Sequence, residues 1–298
     1  MKNRKIHISS NRIFDIVNYT LLFLLAVVVL YPLYFVVIAS FSDPNAIYAG
    51  EVVFLPQKVS FEGYQMLLEE ELLWSGYWNT IRYTVIGTLI NVVLTVCAAY
   101  ALSRRKLPGR KGLTLFVTFT MFFNGGLIST YLLVQKLGMI NSMWSVILPV
   151  AVGPWNLIVA RSFFETTVPE ELHEVACIDG CSEIRAFVSV ILPVSKAIVA
   201  IMVLFYSVSH WNSYFNAMLY LTDEKLYPLQ LVLRNLLIQT DMTAMSMTGD
   251  MTSLAQQQRI ADQIKYGVII ISSVPVLVMY PFVQKYFAQG VTIGAIRG

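Results

Sequence analysis

Few residues in this chain have the type and spacing for covalent or metal chemistry. His173, Cys177 and Cys181 recur at every fourth position, which puts side chains on one helix face, and His with Cys is a usual metal-binding pair. Strung along two turns that Gly180 interrupts, the three make a poor tetrahedral site, so no metal is expected. His7, His173 and His210 stand near no nucleophile at a spacing that supports a nucleophile–base pair, so no catalytic residue is expected either. The chain also lacks a Gly-x-x-x-x-Gly-Lys-Ser/Thr loop, whose backbone amides would cradle nucleotide phosphates. Any hydrolysis of nucleotide would then be a partner's work, and no cofactor is expected on this chain.

What does stand out is ELHEVACIDGCSEIRAFVSVILP, residues 171 to 193, an acidic interruption between apolar runs. Thr167 followed by Glu170 reads as a capping box, with Pro169 in the first turn. Glu170, Glu171 and Glu174 fall near the helix N-terminus, where the dipole favours negative charge. Leu172, Val175, Ala176 and Asp179 recur at helical spacing, Gly180 supplies a positive φ to stop the helix, and a second helix runs from near Ser182 to Pro193. The predicted form is a helix–turn–helix spanning 167–193. A helix lying on inner-leaflet headgroups is usually basic, so these acids argue for a protein partner rather than lipid.

The elements that hold this segment are read from the apolar runs. With 56% hydrophobic and 13% charged residues, the chain is too apolar for a soluble domain and belongs in a lipid bilayer. The net charge of +3 is too small for a nucleic-acid binder, and Cys97, Cys177 and Cys181 are too few for a disulfide framework. Runs of about the length that crosses hydrocarbon predict six transmembrane helices, at about 16–42, 83–103, 112–135, 137–160, 190–215 and 266–287. An arm of residues 1–15 precedes them and a tail of residues 288–298 follows. The first run is too long for the apolar part of a secretory signal and reads as a retained span.

Orientation follows from Lys and Arg in short loops. Lys2, Arg4, Lys5 and Arg12 precede the first span, and Arg104, Arg105, Lys106, Arg110 and Lys111 follow the second, whereas residues 43 to 81 are acidic. Both termini are therefore expected in the cytoplasm, and parity puts 161–196 there as well. Tyr77 and Trp78 read as an interfacial anchor with Arg82 snorkelling beside them. Tyr227 to Ile238 reads as a short helix on the outer side, Asp241 to Gln258 as a loop, and Pro32, Pro149, Pro154, Pro193, Pro275 and Pro281 as sites of bends.

Glu174-Val175-Ala176, three residues, Gly180, nine residues, then Val190-Ile191-Leu192-Pro193 resembles the Glu-Ala-Ala loop of the membrane-spanning subunits of bacterial ABC importers. Val175 and Val190 depart from the usual Ala and Ile. The likeness covers nearly the whole chain and extends to the carbohydrate-importing branch, including complex-oligosaccharide and uronate importers. It is carried by Phe123-Asn124-Gly125-Gly126-Leu127-Ile128, His210-Trp211-Asn212-Ser213-Tyr214-Phe215-Asn216-Ala217, Tyr227-Pro228-Leu229-Gln230 and Tyr280-Pro281-Phe282-Val283.

The resemblance implies a six-helix type I importer permease in a bacterial inner membrane. Its implied partners are a second homologous permease, a pair of identical ATPase subunits and an extracellular solute-binding protein. ATPase coupling would then fall to Glu170, Glu171, Glu174, Val175, Ala176, Asp179, Gly180 and Pro193. The end Gly290–Gly298 is similar to the tail of the smaller maltose-type permease subunit, which implies a second contact through Thr292, Gly294 and Gly298. A sugar path needs aromatic faces and amide hydrogen bonds, for which Asn91, Asn124, Trp155, Asn156, Trp211, Asn212 and Tyr214 qualify, although buried Asn equally cements helix packing and Trp equally marks an interface. Import of another small polar solute, or a stand-alone channel, are the competing readings.

Overall fold

The computed structural model describes residues 4 to 246, 264 to 278 and 281, and within them every regular element is helical. The chain divides into two compact units, residues 1–70 with 236–271, and residues 71–235 with 272–298.

In the first unit, α1 (Arg4–Ser40) carries its apolar stretch Phe14–Ser40 straight through Pro32. Leu21, Leu24, Val28 and Leu33 along it are exposed, as expected of a helix whose solvent is lipid. Its end is pinned by short elements. Asp43 accepts a hydrogen bond from the Asn45 amide and so starts α2 (Pro44–Tyr48), and Ile38, Ala46 and Val52 close a small core. On α3 (Glu62–Glu69), Tyr64 donates from its hydroxyl to Ser40 Oγ at 2.9 Å and stacks on Phe41.

The second unit is built around α4 (Glu71–Ser103). Lipid is as apolar as leucine, so inside a bilayer helices associate through close approach of small residues and through hydrogen bonds. The buried face of α4 is made that way: Gly76, Thr80, Thr84, Gly87, Thr88, Asn91, Thr95 and Ala99. Next come α5 (Arg110–Phe122), α6 (Gly126–Lys136), α7 (Met143–Ile147, extended by a 3-10 turn to Val150) and α8 (Pro154–Thr167). They are followed by α9 (Glu170–Ile178), α10 (Glu183–Ala186), a π turn over Phe187–Ile191, α11 (Leu192–Val194) and α12 (Lys196–Trp211). Then come α13 (Phe215–Tyr220) and a 3-10 turn at Glu224–Leu226, while α14 (Leu229–Ser246) and α15 (Ile264–Val278) are divided between the units, residues 236–246 and 264–271 belonging to the first. The main core lies where α4 meets α8 and α12, through Val96, Ala99, Leu157, Ala160, Phe164, Ile198 and Met202. Tyr206 ties it together, its hydroxyl bonded to Thr95 Oγ1 at 2.7 Å and accepting from the Gly153 amide at 3.0 Å.

Among the described residues, two helical stretches, Phe14–Ser40 and Glu71–Ser103, are each long and apolar enough to cross a membrane, and three others pass that test only as bent pairs. The run expected at 112–135 breaks by 112° between α5 and α6, where Asn124 Oδ1 accepts from the Gly126 amide and Gly126 takes φ +78°. The run at 137–160 bends by 48° between Val150 and Pro154, with Pro149 in the 3-10 turn that ends the first half and Pro154 opening the second, and neither proline donates to a hydrogen-bond ladder. The run expected at 190–215 turns by 83° at Ser195, so α10 and α11 point away from α12. A count of charges cannot see these turns.

The predicted helix at 227–238 is also longer than expected. Helix α14 starts at Leu229, whose amide donates to Thr80 Oγ1 at 2.7 Å, and it continues through Asp241–Ser246, where a loop was expected. Leu229 is buried, as are the consecutive Leu231, Val232 and Leu233, which a single apolar stripe does not produce.

Candidate functional site

The arm formed by α9 and α10 lies within the second unit, between Thr167 and Ser195. Thr167 ends α8, and Pro169, extended at ψ 140°, is the N-cap of α9 with no side-chain cap bond. The predicted capping box therefore does not form, because its Ser/Thr position is still helical. The other end follows expectation. Gly180 takes φ +76°, its amide donates to Cys177 O at 3.1 Å, and the Cys181 amide donates to Ala176 O at 2.9 Å. This pair of bonds is a Schellman stop, and only glycine adopts that φ at no cost. Ser182 then caps α10 by accepting from the Arg185 amide.

The arm has a buried and an open face. His173 and Ala176 are 4% exposed each, packed below, whereas Val175 is 55%, Ile178 84% and Ile184 78% exposed. The stripe expected from Leu172, Val175, Ala176 and Asp179 is therefore rotated: Val175 and Asp179 look outward with Glu171 and Glu174. Glu170 lies at the base, 3.6 Å from Arg105, and Pro193 is exposed just ahead of the bend at Ser195. Three bulky aliphatic side chains held in the open beside carboxylates form a surface suited to a protein partner.

Beneath the arm, the ends of three helices are laced together. Leu102 O, in the last turn of α4, accepts from Arg110 Nε at 2.9 Å and from Arg161 Nε at 3.2 Å. Glu165 pairs with both guanidinium groups, at 2.7 Å in the case of Arg161. Tyr100 stacks on Phe187 at 4.6 Å between ring centres, and its hydroxyl meets His173 Nδ1 at 3.1 Å. An open cavity of about 680 Å³ lies alongside, lined by Tyr100, Arg104, Arg105, Glu165 and Glu170 among others. The sequence reading missed Ile178, Ile184, Arg161, Glu165 and Tyr100. Ile178 lies three residues after Val175 and four after Glu174, which marks it as a neighbour of that face.

The residues considered for a translocation path differ in burial and in the contacts they make. Asn91 is 1% exposed, its Nδ2 donating to Val150 O at 3.2 Å and lying 3.1 Å from His210 Nε2. Trp211 is 4% exposed and donates to Ser272 O at 2.9 Å. Both serve packing within this unit. Asn156 is half-buried; Asn124, Asn212 and Tyr214 are exposed, as is Trp155. The guanidinium of Arg234 sits 5.9 Å over the Tyr214 ring. Thr292, Gly294 and Gly298 lie outside the described residues.

The chain is 37% identical over 289 residues to the polygalacturonan/rhamnogalacturonan transport system permease protein YtcP of Bacillus subtilis, an alignment covering 97% of this chain and 99% of that protein. It is 36% identical to protein LplC of the same organism, across 97% and 96% of the two chains. Among solved structures, a bacterial ABC transporter involved in the import of the acidic polysaccharide alginate superimposes with a TM-score of 0.80 at 32% identity, covering 93% of this chain and 98% of that one. No protein-family model matches the chain.

Proposed function

The chain belongs to the membrane-spanning permease subunits of sugar ABC importers, and from that membership we propose that it couples sugar passage to a separate ATPase through the α9–α10 arm. The single observation that carries the coupling is the open face of Val175, Ile178 and Ile184. It is aliphatic, bordered by Glu171 and Glu174, and held rigid by the Gly180 stop. The chain has no phosphate-binding loop of its own, so the nucleotide and its magnesium sit on the partner, and a docked arm is how nucleotide-driven closure biases the permease between its two states.

The proposed assembly is a six-span permease with both ends in the cytoplasm of a bacterial inner membrane. It pairs with a second permease and with two identical ATPase subunits, and receives cargo from an extracellular binding protein. Glu170, Glu174, Ala176, Asp179, Gly180 and Pro193 shape or border the docking arm, with the tail at Thr292, Gly294 and Gly298 as a further contact. Asn124, Asn156, Asn212 and Tyr214 line the path, and Asn91 and Trp211 hold its walls.

The cargo is a uronate-containing oligosaccharide. Two of the similar proteins carry names for acidic polysaccharides, and Arg234 over Tyr214 combines a cation for a carboxylate with an aromatic face for a sugar ring. The test is ATPase activity of the reconstituted importer with its binding protein. Stimulation by oligogalacturonides above that by neutral maltooligosaccharides, reduced in Arg234→Gln, is expected. Equal stimulation by both sugars, or none by either, overturns the uronate reading.

A further inference from the structure

Three different metal-ligand types converge on the arm. Nε2 of His173 lies 3.2 Å from a carboxylate oxygen of Glu183 and 3.5 Å from Sγ of Cys177. All three atoms lie within 4.8 Å of one another. Bonds of about 2.0–2.3 Å from one ion set neighbouring donors of a tetrahedron roughly 3.2–3.7 Å apart, so two of the three edges already have that length. Any shortening of the third falls to the Glu183 side chain, which is 74% exposed and free to swing. The linear spacing offered Cys181 as the third member of a set that makes a poor site. The turn at Gly180 brings round Glu183 from α10 instead.

The surroundings are those of a ligand set. His173 is buried, and the Tyr100 hydroxyl, 3.1 Å from Nδ1, fixes the ring so that Nε2 faces Cys177 and Glu183. Metal-bound imidazoles are oriented in this way by a hydrogen bond to the other ring nitrogen. Cys177 and Glu183 are open to solvent, which gives an ion an entry path. Thiolate and imidazole beside one carboxylate select Zn²⁺ or Co²⁺ over Mg²⁺ and Ca²⁺, which prefer oxygen alone.

We propose that His173, Cys177 and Glu183 form a site for a zinc-class divalent cation that clasps α9 to α10 across the Gly180 turn, its fourth position open to water or a partner's side chain. The ion site stands on this geometry alone. That its occupancy sets the shape of the docking face rests on the coupling proposal above.

The test is Co²⁺ titration of the purified full-length permease, followed by absorbance, with Zn²⁺ competition. One equivalent of tetrahedral Co²⁺ with a thiolate charge-transfer band is expected, displaced by Zn²⁺ and not by excess Mg²⁺. The thiolate band should vanish in Cys177→Ser, affinity should fall about tenfold or more in Glu183→Gln, and Tyr100→Phe should weaken it about 10- to 100-fold. Cys97→Ser and Cys181→Ser should leave the spectrum unchanged. Because Cys177 and Glu183 are exposed, their variants test the ligands without emptying the core. No thiolate band, a band that survives Cys177→Ser, or undiminished affinity in Glu183→Gln overturns the site. A site that binds Co²⁺ as expected while Zn²⁺ leaves the importer's ATPase unchanged retains the ion and removes only its link to coupling.

Discussion

Gly87 on α4 faces the imidazole of His210 on α12 so closely that a Cβ built on the glycine would lie 2.5 Å from Nε2 and 2.6 Å from Cε1. His210 is buried and its Nε2 is shared with Asn91, so the ring cannot retreat without breaking that contact. Gly87→Ala gains about 1 kcal/mol of helix propensity and incurs an overpacking cost of about 1–3 kcal/mol. The expected net effect is a lower melting temperature in detergent. His210→Ala opens the space, so the double variant should lose less stability than the two single losses added together. Strict additivity would mean that the two helices do not meet through this pair.

Ile178 gives the cleanest separation of docking from folding. At 84% exposure its replacement by Asp should leave stability within about 0.5 kcal/mol, as for most surface changes. If the open face of α9 seats on the ATPase, a carboxylate there is desolvated without a partner. Co-purification of the ATPase should then be lost, with transport falling in parallel and the melting temperature unchanged. Normal retention of the ATPase by Ile178→Asp would remove the docking face from that side of the helix.

The arm itself was legible because it is local: acids amid apolar runs mark it, and one glycine ends its helix. Its rotation was not, since Leu172, Val175, Ala176 and Asp179 keep helical spacing whichever side is packed, and only contacts with Tyr100 and Phe187 settle the matter. The meeting of His173 with Glu183 was hidden for the same reason, as it depends on the angle across Gly180. Hydropathy located the apolar stretches yet said nothing of the 112° turn at Phe123–Gly125, because an uncharged run keeps its composition when it bends. Trp211 beside Asn212 ranked first for a path, with an interface anchor as the other reading; its bond to Ser272, far along the chain, is a contact that spacing could not reveal.

Glu165 joins Arg110 and Arg161, all three side chains being 26% exposed or less. Glu165→Gln keeps the shape and leaves two guanidinium groups side by side. The loss expected is about 1–3 kcal/mol, between that of an exposed pair and that of a fully buried one. Raising the salt concentration should narrow the difference from wild type in a thermal melt, by screening the uncovered repulsion. A difference independent of salt would assign the loss to hydrogen-bond geometry instead.

Asn141 combines two properties that different substitutions separate. It adopts φ 58°, which Asn tolerates better than most residues, and its Oδ1 accepts from the amides of Thr222 and Asp223, each at 3.0 Å. Its own amide donates to Tyr220 O at 2.9 Å, so one residue ties the turn after α6 to the end of α13. Asn141→Gly keeps the backbone conformation and removes the acceptor, with an expected cost of about 1–2 kcal/mol for the two hydrogen bonds exchanged for water. Asn141→Ala adds the strain of a left-handed non-glycine residue, about 1 kcal/mol more. Thermal melts should therefore rank wild type above Gly and Gly above Ala. Equal melting of the Gly and Ala variants would show that the side-chain acceptor alone matters, and a Gly variant as stable as wild type would show that the backbone conformation alone does.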